Sequence, residues 1–329
     1  MAVDLFAQTT STILALGVGG AGGRVATAGA ANADVAGGAP CAAWCAAHLD
    51  RAELMATGLD RRILLEAADG PFVFQNAEHS VAAHAAKLAA LMAGRGAVIL
   101  LGCLEEHSAR VLLPALGGYF RAENLFVCAI AAEPAHASPD SSSTLDRIAA
   151  NCDLFLTLSP EILRAGVDPS CPLSELAAAR ERKLLAAAEA LAGALACGVP
   201  GLQFSAPQLR AALRGGDIRT TLANASGPEA LLRAAQAALE QLESAPLAGA
   251  HFPILASALM TSREPSALEA DALRHLLRER NATAQSTHGA PTLLGVSTQA
   301  HLEDEAVCVL MAGHASRGKA IPLSSMRAL

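Results

Sequence analysis

From residue 13 onward, short uninterrupted apolar runs alternate with stretches in which apolar residues recur every three or four positions. That alternation writes strand, helix, strand, helix. Ile13 to Leu16 is the first run, and it ends in a burst of glycines: Gly17, Gly19, Gly20, Gly22 and Gly23. The pattern predicts a helix over 20–31, and APCAAWCAA is a second buried strand leading into His48, Leu49 and Asp50. Residues 79–93 carry helical spacing that Gly94 and Gly96 end. AVILLG (97–102) is a buried strand, and after it a loop passes into a helix that Pro114 interrupts or ends. A strand is expected over 123–134, a polar loop over 137–144, a short helix from Thr144 to Ala150, and a strand in CDLFLTLSP. Apolar strands separated by helices make a parallel sheet covered on both faces.

Residues 173–197 hold the longest clean helical pattern, with Ser174 read as its N-cap, Glu175 in the first turn, and Gly198 and Pro200 as the stop. This helix reads as a spine between two domains. Beyond it the grammar changes: helices over 207–214 and 228–243, a strand over 252–261, a charged amphipathic helix over 265–280, and strands in PTLLGVSTQ and AVCVLMAG. The second half is therefore a smaller α+β domain with a mixed or antiparallel sheet. From His314 the chain reads as a short flexible tail.

Composition sharpens this picture in three places. The 329 residues are 52% hydrophobic but only 3% aromatic, so alanine, leucine and valine must build the core. A formal net charge of −7 argues against a dedicated nucleic-acid binder. The eight cysteines (Cys41, Cys45, Cys103, Cys128, Cys152, Cys171, Cys197 and Cys308) form no C-x-x-C pair, and several sit inside apolar runs. Reduced thiols in a cytoplasmic protein are expected, not a disulfide framework or a metal site. The histidines show no ligand spacing. MAVDLFAQTTST has no basic residue and does not read as a signal peptide, and no apolar stretch is long enough to predict a membrane span.

The glycine burst is the candidate binding element. An apolar strand that ends in glycines and opens a helix brings unpaired backbone N–H groups close to an anion. Gly17, Gly19 and Gly22 satisfy the dinucleotide spacing G-x-G-x-x-G. The acid that should close the second strand about 20 residues later does not fit, because Asp50 lies further on, past His48.

GVGGAGG resembles the first phosphate loop of FtsZ, the bacterial tubulin homologue, and the likeness continues in order along the chain. AHLDRAEL resembles VNTDAQAL of that family, with Asp50 retained. AVILLGCLEEHSARVLLPAL lines up on the family's strand, signature loop and helix. LFVCAIAAEP, CDLFLTLSPEIL, the long helix, VPGLQFSAPQLRAAL and LEDEAVCVLMAGH follow. The resemblance implies a tubulin/FtsZ-like two-domain α/β fold: a nucleotide-binding-type domain over 1–172, a central helix over 173–198, a C-terminal domain over 199–314 and a short tail over 315–329. It implies Gly17, Gly19, Gly20, Gly22, Gly23, Arg24 and Asp50 as cofactor-binding residues, and a cytoskeletal role, with cell division, membrane remodelling and defence all compatible.

The chain departs from the family at three places. The signature loop GGGTGTG becomes Glu105, Glu106, His107, Ser108, Ala109, Arg110 and Val111, placing two carboxylates where triphosphate should lie. These residues read either as a polar cluster or as a solvated helix start with acids at the positive end of the dipole. At the guanine and ribose positions the family's asparagines are Arg24, His48 and Pro160, its basic residue is Glu133, and Glu161 stands where its base-recognising acid belongs. Arg24 either holds another anion or is an exposed helix arginine. The two acids of the family's catalytic loop fall at Ser205 and Gln208, neither of which can act as a carboxylate base. No catalytic residue, no metal and no cofactor are expected, while GTP or GDP stays open as a ligand.

The function implied is an FtsZ-like pseudo-GTPase that forms or regulates filaments without hydrolysing GTP. It would act by self-association or with an FtsZ-family partner, and would reach a membrane only through a partner. The alternative is a GTP-binding or other phosphate-binding protein that reuses the glycine loop with residual catalysis.

Overall fold

The computed structural model describes residues 12–35, 40–66, 74–135, 139–168, 170–213, 218–244, 253–283 and 292–313. The first unit runs β1 (Ile13–Val18), α1 (Gly19–Val35), β2 (Ala43–His48), α2 (Arg51–Ala56), β3 (Arg62–Leu64), α3 (Phe74–Ala83), α4 (Ala85–Met92), β4 (Ala97–Cys103), α5 (His107–Ala122), β5 (Phe126–Ala132), α6 (Pro139–Asn151), β6 (Leu154–Leu158) and α7 (Pro160–Arg164). The long helix α8 (Leu173–Ala196) follows. The second unit runs α9 (Ala206–Ala212), β7 (Ile218–Ser226), α10 (Ala230–Ser244), β8 (Ile254–Thr261), α11 (Ala267–Thr283), β9 (Leu293–Thr298), a 3₁₀ turn (Ala300–Leu302) and β10 (Glu305–Gly313).

The first sheet has the order β3-β2-β1-β4-β5-β6 and every pairing in it is parallel. β1, β2, β4 and β5 are buried along their whole length, as uninterrupted apolar strands between two helical layers must be. The chain reverses direction across the sheet between β1 and β4, so the crevice at their carboxyl ends is the natural ligand position. The second sheet, β7-β10-β8-β9, is mixed: β10 is antiparallel to β7 and β8, and β9 is parallel to β8. This is the α/β sheet plus smaller mixed-sheet unit that the hydrophobic pattern anticipated. α8 packs against α1 and against strands of both sheets, and its apolar face joins the two cores.

Four local expectations are corrected. Pro114 does not break its helix. α5 runs through it, because the lost backbone bond is outweighed by the burial of Leu112, Leu113, Leu116 and Phe120. The helix expected over 79–93 starts five residues earlier and is divided at His84, whose Nδ1 lies 2.8 Å from Ser80 O. The polar loop expected over 137–144 is helical from Pro139, a residue preset for a first helical turn; 137 and 138 lie outside the described residues. Ser174 is not the N-cap of α8: Pro172 holds that place in extended conformation and Ser174 sits inside the first turn. α2, β3, α7 and β7 were not anticipated. β7 reads IRTTLANAS, a half-polar edge strand without a clean apolar signal. The tail from residue 314 lies outside the described residues.

The approach of α1 to the sheet depends on Gly22 as well as Gly17. A methyl group on Gly22 would lie 2.6 Å from Leu101 O and 3.0 Å from Gly17 C, both backbone atoms that cannot swing away. Gly22→Ala is expected to destabilise the fold by about 1–3 kcal/mol, read as a lower urea midpoint with an unchanged slope.

Candidate functional site

The site lies where β1 hands the chain to α1. Gly19 turns the backbone at φ +80°, a conformation that costs a side-chain-bearing residue and suits glycine. The turn aims the first N–H groups of α1 into the crevice between β1 and β4. One of them, Ala21 N–H, already has an anionic partner: it donates to Glu106 Oε1 at 2.8 Å.

Glu106 is the N-cap residue of α5, yet its side chain makes no capping hydrogen bond there. It reaches across to α1 instead, so one carboxylate stands at the positive ends of two long helices. A side chain on Gly19 would overlap Glu106 Oε2, which measures how completely this group fills the turn. Glu106 Oε2 is buried and has no hydrogen-bond partner among the described residues. Burial pushes the Glu106 carboxyl above the usual carboxylate range, and the neighbouring Glu53 adds to the rise. The Ala21 N–H and the Arg24 charge offset only part of it.

A second carboxylate borders the same turn. A methyl group on Gly20 would lie 2.7 Å from Glu53 Oε2 and 3.3 Å from Glu106 Oε1. Glu53 is held by His48, whose Nε2 lies 3.2 Å from Glu53 Oε2. Asp50 N–H donates to His48 Nδ1 at 2.7 Å, which leaves the ring hydrogen on Nε2, facing Glu53. Asp50 caps α2 through Oδ1, accepting from Ala52 N–H at 2.7 Å and Glu53 N–H at 3.1 Å. Those bonds hold its carboxyl below the usual range. Arg24 projects from α1 to Glu181 on α8, with Nη2 to Oε1 at 2.7 Å, and this hydrogen bond raises the guanidinium pKa further.

The structure therefore separates the two loop carboxylates. Glu106 fills the glycine turn, whereas Glu105 pairs with Arg180 of α8 and accepts from Ala135 N–H. His107 and Ser108 begin α5 as consecutive residues, which project from different sides of a helix. Gly17, Gly22 and Gly23 serve close packing: methyl groups there would meet Gly22 O, Leu101 O and Thr57 Cγ2. Glu161 lies in the first turn of α7, lowered by its hydrogen bond to Ser159.

Ser205 and Gln208 have a local job. Ser205 is the N-cap of α9, and the two residues form a capping box: Ser205 Oγ accepts from Gln208 N–H at 3.4 Å and Gln208 Oε1 accepts from Ser205 N–H at 2.8 Å. Arg210, on the same helix, donates to Asp153 Oδ2 at 2.9 Å and Leu125 O at 3.0 Å, tying α9 to the first sheet.

Sequence reading missed Glu53, Arg180 and Glu181. Glu53 left one signal, the spacing D-x-x-E after Asp50, which places an acid in a first helical turn. The two residues on α8 left none, because their partners are more than 70 positions away.

These residues do not fit an anionic phosphate group as they stand. The Ala21 N–H donor is taken by Glu106, and two carboxylates border the turn.

No protein-family model matches the sequence, and no curated protein does. Solved structures do match. An empty FtsZ dimer from M. jannaschii is 18% identical, with a TM-score of 0.73 over 94% of this chain and 90% of that one. A CetZ from Methanosaeta thermophila is 14% identical, with a TM-score of 0.65 over 92% and 87% of the two chains. GDP-bound CetZ1 from Haloferax volcanii is 12% identical, with a TM-score of 0.64 over 92% and 93%. Over almost its whole length, the chain has the fold of these FtsZ and CetZ structures.

Proposed function

We propose that this chain is a pseudo-GTPase of the tubulin/FtsZ fold, a filament-forming or filament-regulating protein that does not hydrolyse GTP. The observation that carries the reading is the Glu106 carboxylate on Ala21 N–H. The chain supplies its own anion at the helix terminus that the resemblance assigns to a nucleotide phosphate. The capping box of Ser205 and Gln208 adds to it: both side chains satisfy α9, and neither is an acid that could orient water. Self-association, or association with an FtsZ-family partner, is the mode of action in this reading; one of the similar structures is itself an FtsZ dimer. The protein would be cytoplasmic. None of the helices among the described residues is long and apolar enough to cross a membrane.

Pelleting and electron microscopy of the purified protein, with and without GTP, test the reading when phosphate release is followed in the same tubes. The expected result is identical assembly in both conditions and no phosphate release. Filaments that require GTP, or sustained phosphate release, would overturn it.

A further inference from the structure

A cleft of about 370 Å³ lies where α1, the segment before β2, the end of α8 and the segment after β9 meet. Cys41 and Cys197 both line it, and each is the group that most strongly shifts the other's ionisation. The two are 156 positions apart, so the fold brings them together. We propose that Cys41 and Cys197 form a reversible dithiol–disulfide site whose oxidant is a small hydroperoxide entering through this cleft.

Among the other six, Cys171 does not line the cleft, and the remaining five are buried. Cys45, Cys128, Cys152 and Cys308 are buried, and burial raises each thiol; Cys45, Cys152 and Cys308 are pushed up to about 12. Cys103 is also buried and raised. Cys197 is exposed at the C-cap of α8, and Cys41 beside it in the cleft lowers its thiol, with burial opposing in part. Cys41 is half-buried, and Cys197 and burial push its thiol up; its sulfur accepts from Gln299 Nε2 at 3.5 Å. One thiol is thus set up to attack and the other to resolve, which is the arrangement of a selective redox pair.

The chemistry balances. The Cys197 thiolate sulfur attacks one peroxide oxygen and the O–O bond breaks; the departing oxygen takes a proton and leaves as water or an alcohol. Cys197 becomes a sulfenic acid. The Cys41 sulfur then attacks the Cys197 sulfur, the S–S bond forms, the S–O bond breaks, and the hydroxyl leaves as water with the Cys41 proton. Two thiols lose two electrons and one peroxide gains them. A dithiol reductant reverses the change. The bond would join the segment before β2 to the end of α8, which also bridges to Ser297 of β9 through Gly198.

Trypsin places the two cysteines in different peptides, 25–51 and 184–210. The native protein would be treated with a few equivalents of hydrogen peroxide, blocked with iodoacetamide, digested without reduction and mapped by tandem mass spectrometry. The expected product is a 25–51/184–210 linkage with Cys41, not Cys45, at the junction, reversed by dithiothreitol and lost in Cys41→Ser and Cys197→Ser. In the reduced protein Cys197 should alkylate at least about tenfold faster than any other cysteine, as a lowered, exposed thiol does. Trp44, the only tryptophan, lines the same cleft, so its fluorescence should change with linkage in the wild type and stay constant in Cys197→Ser. Oxidation of Cys197 to sulfinic acid without linkage, a bond through Cys45, or linkage only between two chains would overturn the proposal. Alkylation rates on the wild-type protein decide the matter even if a serine variant fails to fold.

Discussion

Glu106→Ala is expected to turn the glycine crevice into an anion site. In the wild type, pyrophosphate and GTP should give no binding isotherm at millimolar concentration; in the variant, affinity should rise by two to three decades. The estimate rests on charge. At an effective dielectric near 20, two like charges about 4 Å apart repel by roughly 4 kcal/mol, and each 1.4 kcal/mol is about tenfold in affinity. Part of the gain is withheld because Glu53 still borders Gly20. The substitution also frees Ala21 N–H, the donor that Glu106 now occupies. Titration calorimetry with pyrophosphate and GTP, on wild type and variant side by side, reads the difference. Equal, tight GTP binding by both proteins would show that Glu106 leaves the turn at little cost, and the self-supplied anion would then explain nothing.

The same carboxylate predicts a pH effect of definite sign. Its folded pKa is raised, so proton binding stabilises the folded state below the ordinary glutamate value of 4.5, and that stabilisation is lost as pH rises through the raised value. Glu106→Gln keeps an acceptor for Ala21 N–H and removes the buried charge. It should therefore be more stable than wild type at neutral pH, with the gap closing on acidification.

Glu189→Ala is expected to destabilise the protein by about 2–4 kcal/mol, the scale for removing one partner from a buried polar pair. Glu189 is only 8% exposed, in the middle of α8. Asn32 Nδ2 of α1 donates to its Oε1 at 2.9 Å, and His301 Nε2, in the 3₁₀ turn before β10, lies 3.3 Å from its Oε2. One carboxylate thus fastens the central helix to an element of each unit. The hydrogen bond from His301 to Glu189 raises the histidine pKa, with burial opposing in part. Its contribution is therefore fully present below pH 6.5, the unfolded value, and is lost as pH rises through the folded value. Urea unfolding of wild type and Glu189→Gln across that range should show the wild type losing stability on the alkaline side and the variant staying flat. Parallel curves would sink the assignment.

The sheet architecture was legible because β1, β4 and β5 are uninterrupted apolar runs, and such runs are uncommon outside buried parallel strands. α8 was legible for the same reason at helical period. Elements whose stability comes from elsewhere were not. β7 is half polar and exists because β10 supplies a full ladder beside it. Pro114 violates a local rule that the burial of Leu112 and Phe120 overrides. At the site, the strand-to-helix turn at Gly19 could be read because it is backbone geometry, which sequence encodes directly. The direction of Glu106 could not. An acid at the start of a helix ordinarily caps that helix, and only the fold shows this one crossing to α1. The Arg24–Glu181 and Arg180–Glu105 pairs were hidden for a related reason, since nothing local marks partners so far apart.

The strand order of the second sheet also has a bearing on synthesis. The first sheet is complete once β6 has been made, but β10, the strand that joins β7 to β8, is the last element of the second sheet to leave the ribosome. Until then β7 and β8 present unpaired edges, a hazard in any nascent chain. All six strands of the first sheet are available while translation continues; the second sheet must wait for its middle strand. A ribosome stalled before residue 305 would hold a chain with adhesive strands from the second sheet, so the nascent second unit is where a chaperone is most needed.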